Sequence, residues 1–190
     1  MKKVILHFNM ALDGVVSDVE KWADINSAAL DESVKRYTRL GTVIFGGATF
    51  PSMAEYWQKA ETSSRTPNER RLAKALGEKR KIALTNRPMS IDWKNSEALL
   101  VKSDRDLERK MKELKEKPGK PIVVESGVRT WHKFLRTNLF DELHIVVQPV
   151  VVGIGDKLFD GRLDKTKLRL VRELKLKGGL IKLEYRKAST

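Results

Sequence analysis

Short apolar runs rich in Val, Ile and Leu alternate along the chain with segments whose apolar residues recur at helical spacing. The first pattern predicts buried strands and the second amphipathic helices. Val4 to Asn9 reads as a strand. Ser27 to Arg39, with Ala28, Leu30, Val34 and Tyr37 near helical spacing, reads as a helix stopped by Gly41. Thr42 to Phe45 is a second strand, and Pro51 stands where a first helical turn accepts it, ahead of a short helix over Met53 to Trp57. Glu61 to Asn68 reads as a loop and Glu69 to Leu76 as a helix closed by Gly77. Lys81 to Thr85 is a strand ended by the turn Asn86-Arg87-Pro88, and Leu99 to Val101 is a short strand.

Asp104 is placed to cap a helix carrying Leu107, Met111 and Leu114, which Pro118-Gly119 stops. Pro121 to Val124 is the next strand, and Val128 to Leu135 a helix turning Trp131, Phe134 and Leu135 inward. The valine-rich run from Glu142 to Val152 suits a strand covered on both faces. Leu168 to Lys177 and Leu180 to Lys187 are joined through Lys177-Gly178-Gly179, a hairpin signal. Strands alternating with helices and then an antiparallel ending predict an α/β fold: a mixed, mostly parallel central sheet flanked by helices, with a C-terminal antiparallel hairpin. No repeat or Gly/Ser linker divides the chain, so residues 1–190 are read as one domain.

Composition narrows the function. Hydrophobic residues at 41% and charged residues at 33% describe a folded soluble chain rather than a disordered one. The absence of cysteine excludes disulfides, thiolate chemistry and cysteine-held metals, and suits a reducing, cytoplasmic setting. The apolar start at Val4 is cut by Asn9 and Asp13, too early for a signal peptide or membrane helix, and no membrane association is expected. The net charge of +13 attracts anions in general. Yet the richest basic stretch, Arg105 to Lys120, holds no aromatic residue and interleaves Glu108, Glu113 and Glu116 with its lysines. That is a salt-bridged helix face rather than a nucleic-acid reader, which is kept only as a second alternative.

Four turns after strands carry the candidate chemistry. Asp13-Gly14 offers a carboxylate just past the first strand, or an ordinary turn. Gly46-Gly47-Ala48-Thr49 can cradle a phosphate on backbone N–H groups with Thr49 adding a hydroxyl, or be a tight turn with Thr49 as a helix cap. Glu125-Ser126-Gly127 ends a strand before a helix, where a charged Glu125 needs a partner. Gly153-Ile154-Gly155 permits close backbone approach, or simply a bend. The spacing matches neither G-x-G-x-x-G nor G-x-x-x-x-G-K-[ST]. His7 and His144 read as core or sheet-facing residues, and no spacing suggests a metal.

The segments Leu12-Asp13-Gly14, Phe45 to Trp57, Glu125-Ser126-Gly127, Phe140 to Leu143 and Pro149 to Phe159 together resemble the reductase domain of riboflavin biosynthesis. That domain is the C-terminal half of the bifunctional deaminase–reductase and has the dihydrofolate-reductase-like fold. The resemblance runs from Val4 to about Tyr185. It implies an enzyme that transfers a hydride from NADPH, with NADH as the alternative, to a small heterocyclic or ribosyl substrate, acting as a homodimer. By matching position, Gly46, Gly47 and Thr49 would hold the cofactor phosphates, and Thr85, Asn86 and Arg87 the adenosine and its 2′-phosphate. Ser126, Gly127 and Gly155 would line the rest of the cofactor, while Asp13 and Glu125 would face the substrate as the catalytic candidates. The chain departs from the family in having Gly46-Gly47 for the usual Gly-Arg, which leaves Arg87 as the candidate cation. It also has Glu125-Ser126-Gly127 for Glu-Gly-Gly. A nucleotide-binding module of the same fold without turnover is the other alternative.

Overall fold

The computed structural model describes residues 1–159, 161, 163 and 165–188. In chain order its elements are β1 (Val4–Ala11), α1 (Val19–Trp22), α2 (Ser27–Thr38), β2 (Thr42–Gly46), α3 (Phe50–Ser63), α4 (Pro67–Gly77) and β3 (Arg80–Thr85). There follow β4 (Ser96–Leu100), α5 (Asp104–Glu116), β5 (Ile122–Val124), α6 (Val128–Arg136), β6 (Glu142–Gln148), β7 (Leu168–Lys175) and β8 (Ile181–Lys187). The eight strands form one sheet in the order β4-β3-β2-β5-β1-β6-β8-β7. Strands β4 through β6 run parallel, and β8 and β7 close the far edge antiparallel. This is the mixed sheet with an antiparallel hairpin that the alternation predicts.

Two apolar layers hold the sheet, because alternate residues of a strand point to opposite faces. Val4, Leu6 and Phe8 of β1 pack with Ile122 and Val124 against Leu107, Met111 and Leu114 of α5 and Trp131 and Phe134 of α6. Ile5, Val43, Phe45 and Val123 face the other way, against Leu30 and Tyr37 of α2, Phe50 and Ala54 of α3, and Leu72 and Leu76 of α4. On this second face the sheet becomes polar under α2, and its buried Gln148 and Lys182 are both partnered. Gln148 donates to Asn9 at 2.9 Å and accepts the Asp24 N–H at 3.1 Å. Buried Lys182 lies 2.9 Å from Glu32 of α2 and 2.8 Å from Glu184.

Element ends differ from the sequence pattern where tertiary contacts outweigh local signals. Helix α3 runs 14 residues to Ser63 instead of stopping near Trp57, since Ala60 is buried and continues its inward face. Gly77 is the last residue of α4 rather than its terminator. Strand β6 ends at Gln148, and the apolar residues after it leave the sheet as a loop. The cap of α5 is Ser103, whose hydroxyl accepts the Asp106 N–H at 3.1 Å, with Asp104 as the first helical residue.

That assignment predicts that Ser103→Ala costs about 1 kcal/mol in urea unfolding, the usual size of a lost cap. Asp104→Asn, which loses only a charge near the helix N-terminus, should cost about half as much. The reverse ranking would return the cap to Asp104.

Candidate active site

Strand β5 is only three residues long, yet it pairs with β1 on one side and β2 on the other, so the ends of β2 and β5 stand side by side. The chain leaves β2 into α3 on one face of the sheet and β5 into α6 on the other, which sets the two helix N-termini next to each other beyond the strand ends. Ligands of open α/β sheets collect at such a point beyond the strand C-termini. The contact between the two turns is close. The Gly46 N–H donates to Ser126 Oγ at 2.7 Å, and a Cβ on Gly46 would collide with Ser126 Oγ and Thr130 Oγ1. Thr49 Oγ1 lies 3.4 Å from where a Gly127 Cβ would be, and it makes no capping bond to α3. Neither α3 nor α6 has an acidic residue in its first turn, unlike α4 with Glu69 and α5 with Asp104 and Asp106. Two positive helix ends therefore meet with no side-chain anion of their own to balance them.

Not all the backbone donors in these turns face outward. Gly47 N–H donates to Leu84 O at 2.7 Å, and Thr49 N–H donates to Gly46 O at 2.9 Å. With the Gly46 donor also spent on Ser126, an anion here would meet the first turns of the helices and the Thr49 hydroxyl. The packing also explains Gly47: a Cβ there would lie 2.9 Å from Thr85 Cβ and 3.2 Å from Leu84 O, so the turn closes on β3 and admits no side chain. Thr85 Oγ1 in turn donates to Arg87 O at 2.8 Å, folding the turn so that Asn86 and Arg87 are exposed beside the site. Sequence reading missed Thr130 and Arg129, which fall in the first turn of α6, Arg129 exposed. The Gly127-x-Arg129 spacing at the start of a helix was the available signal.

Asp13 lies on the other side of β5, past the end of β1. Its Oδ2 accepts the Gly153 N–H at 2.7 Å, tying this turn to the loop after β6. Leu12 N–H to Val150 O at 2.9 Å and Leu158 N–H to Gly14 O at 3.1 Å join the same two loops. Backbone donors, that of Gly153 foremost, hold the Asp13 carboxyl below its usual range, so it is an anion at neutral pH. Gly155 serves this loop pair: with φ +153° it lies where a Cβ would be 2.6 Å from Val15 Cγ1, and it is not brought to the α3–α6 junction. Beside the paired loops opens a cleft of about 390 Å³ walled by Trp22 and Val150 to Val152, with Asp18 and Lys21 as its charges. A larger depression of about 540 Å³ around Glu78, Arg80 and Asn95 sits at the opposite end of the strands.

Glu125 is not open to a ligand through a free oxygen. Its Oε1 is paired with Arg36 of α2 and lies 3.2 Å from His7 Nδ1, and its Oε2 accepts the Tyr37 hydroxyl. Burial opposes its ionisation, but the Arg36 guanidinium, His7 and Tyr37 more than offset this and hold its pKa at about 2. His7 is pushed down to about 4, first by burial and then by Arg36, with Glu125 pulling the other way. His7 is thus a neutral member of a polar cluster at the site, where the strand pattern suggested a plain sheet residue. Among the described residues, no group of three His, Cys, Asp or Glu side chains could hold a metal ion, and no helix is long and apolar enough to cross a membrane.

Comparison with known proteins bears on the whole of this arrangement. The family described as RibD C-terminal domain matches residues 2–182. The Bacillus subtilis (strain 168) protein YwjB is 36% identical over 75 residues, which is 40% of this chain and 42% of YwjB, so the match spans less than half of that relative. The diaminohydroxyphosphoribosylaminopyrimidine deaminase/5-amino-6-(5-phosphoribosylamino)uracil reductase of Thermotoga maritima superposes with a TM-score of 0.67 at 18% identity, over 98% of this chain and 57% of its own. Dihydrofolate reductase of Enterococcus faecalis, complexed with NADP(H), superposes with a TM-score of 0.60 at 15% identity, over 98% and 97% of the two chains. These two share the fold, which is dihydrofolate-reductase-like.

The cluster around Glu125 makes the protein acid-sensitive in a defined window. A histidine whose pKa is lowered by folding stabilises the native state above its unfolded value near 6.5, and that contribution disappears as pH falls to about 4. The depressed Glu125 adds a second loss from about 4.5 down to about 2. Unfolding free energy should therefore drop by on the order of 2–3 kcal/mol between pH 6.5 and 4 from His7. In His7→Gln the slope over that interval should flatten. Equal slopes in both proteins would place the acid sensitivity elsewhere.

Proposed function

The chain belongs to the RibD C-terminal domain family, and on that premise we propose that it is an NAD(P)H-dependent reductase acting on a small heterocyclic or ribosyl substrate. The observation that carries the reading is the meeting of the α3 and α6 N-termini with no acidic first-turn residue between them. A dinucleotide pyrophosphate fits that need: it presents oxygens to helix N-termini and balances their positive ends. Thr49 would add a hydroxyl donor. Arg87 and Arg129, both exposed beside the junction, are the cations for the remaining phosphate charge. Reduced nicotinamide, when bound, supplies the hydride.

The residues on the substrate side then orient and balance charge. Asp13 is an anion held in place by the Gly153 N–H, so it accepts hydrogen bonds from the substrate rather than giving it a proton. A fixed carboxylate beside the reacting carbon favours a protonated C=N, which is cationic before hydride arrives and neutral afterwards. Glu125, one strand away and fully engaged, keeps its charge within its own cluster. The uracil reductase chemistry named for the Thermotoga maritima protein is the substrate reading we carry to this chain. Because Glu125 is spoken for on both oxygens, the rival is a nucleotide-binding module of the same fold that has lost turnover.

Calorimetric titration with NADPH and NADH tests the cofactor, and oxidation of the bound cofactor with a panel of pyrimidinones and pterins separates enzyme from module. Thr49→Ala should weaken NADPH about fivefold, the net size of one hydrogen bond. Arg87→Ala should weaken NADPH by about 1.5–3 kcal/mol, the range for hydrogen bonds to a charged group, and leave NADH nearly unchanged. Equal losses for both cofactors would move Arg87 from the 2′-phosphate to the pyrophosphate or the fold. Binding of neither cofactor at millimolar concentration would sink the assignment.

A further inference from the structure

The turn Glu125-Ser126-Gly127 has to hold the start of α6 beside the start of α3, and its two sides are anchored by different means. Toward β2 the backbone does it: Glu125 N–H donates to Ile44 O at 3.0 Å, and Ser126 Oγ takes the Gly46 N–H at 2.7 Å. Toward α2 the only anchor described is the Glu125 side chain. Arg36 and Tyr37 are consecutive residues, pointing about 100° apart on a helix, yet both reach this one carboxylate, one on each oxygen. His7 reaches the same Oε1 from the middle of β1. Arg36 and Tyr37 are almost fully buried, and Glu125 is close to it.

Such a cluster is a poor way to stabilise a fold. Taking two charges out of water offsets most of their attraction, and apolar residues of similar size often do as well or better. What the charges supply is direction: a carboxylate gripped on both oxygens can sit in one orientation only. We infer that Arg36, Tyr37 and His7 are positioning residues, clamping Glu125 so that the Ser126-Gly127 turn and the N-terminus of α6 stay aimed at α3. Their effect on a dinucleotide rests on the reductase reading above; their effect on the turn does not. The charged and titratable groups facing Glu125 are Arg36 and Tyr37 from α2 and His7 from β1, and the charge of Lys182 on β8 also acts on His7.

The test compares Arg36→Gln, Arg36→Lys and Tyr37→Phe with the wild type by site-resolved amide hydrogen exchange, without cofactor, and then by NADPH titration. Arg36→Gln should speed exchange at Gly46 and Glu125 about tenfold or more, the scale of one hydrogen bond to a charged group, while Ile145 in β6 keeps its rate. Arg36→Lys should recover much of the protection. Tyr37→Phe, which keeps the ring and the ion pair, should give about a threefold effect and serves if Arg36→Gln does not fold. NADPH should weaken in the same order. Exchange that rises equally at Gly46, Glu125 and Ile145, or rises at none of them, overturns the positioning role and leaves an ordinary buried ion pair. If the wild type takes up no NADPH, the reductase reading fails, and the exchange pattern alone still decides this one.

Discussion

The site depends on where β5 is placed. Three residues, Ile122, Val123 and Val124, are buried to within 1% and hydrogen-bond to a parallel neighbour on each side. The chain reaches β5 only after building β2, β3 and β4 outward, and then comes back to fill the gap between β2 and β1. That return puts the start of α6 beside the start of α3. Gly46, Ser126, Thr49 and Gly127 touch because their strands are neighbours, although nearly eighty residues separate the two turns in the chain. Glycine is needed at 46 and 47 for the same reason: the turns close on Thr130 and Thr85, and a side chain would force them apart.

Charge is arranged around this junction in an uneven way. The helix ends present unbalanced positive potential, while the two carboxylates nearest the strand ends are both ionised and both held. Asp13 is fixed by a backbone N–H in a loop pair, and Glu125 by side chains beneath α2. Neither is poised to titrate near neutral pH, so the site offers fixed charge and fixed donors rather than a general acid. This suits the proposed reaction, in which a bound nicotinamide would supply the reducing equivalent and the protein orientation.

Much of the fold was legible from periodicity because most strands are buried on both faces and most helices on one. The β2 run Thr42 to Phe45 and the Leu107, Met111, Leu114 stripe of α5 could hardly be read otherwise. The Gly178-Gly179 hairpin was legible too, since both residues adopt positive φ. Helix ends were less so: whether Ser103 or Asp104 caps α5 depends on backbone angles that composition does not encode. In the site, the turns were visible as glycine-rich strand ends, but their partners were not. That Gly47 packs on Thr85, that Gly155 packs on Val15, and that Arg36 and Tyr37 reach Glu125 are contacts across strands brought together by topology. His7 was hidden for a related reason, because a lone histidine in an apolar strand shows nothing of the carboxylate that meets it.

The central claim is that the junction of the α3 and α6 N-termini is an anion site built for a dinucleotide. Mapping backbone amide NMR shifts on addition of NADPH tests it most directly. The account predicts the largest changes at Ala48, Thr49, Ser126, Gly127 and Arg129, with Glu78 and Asn95 at the opposite end of the strands unmoved. Changes centred on Glu78 and Asn95, or none at all at saturating NADPH, would contradict it.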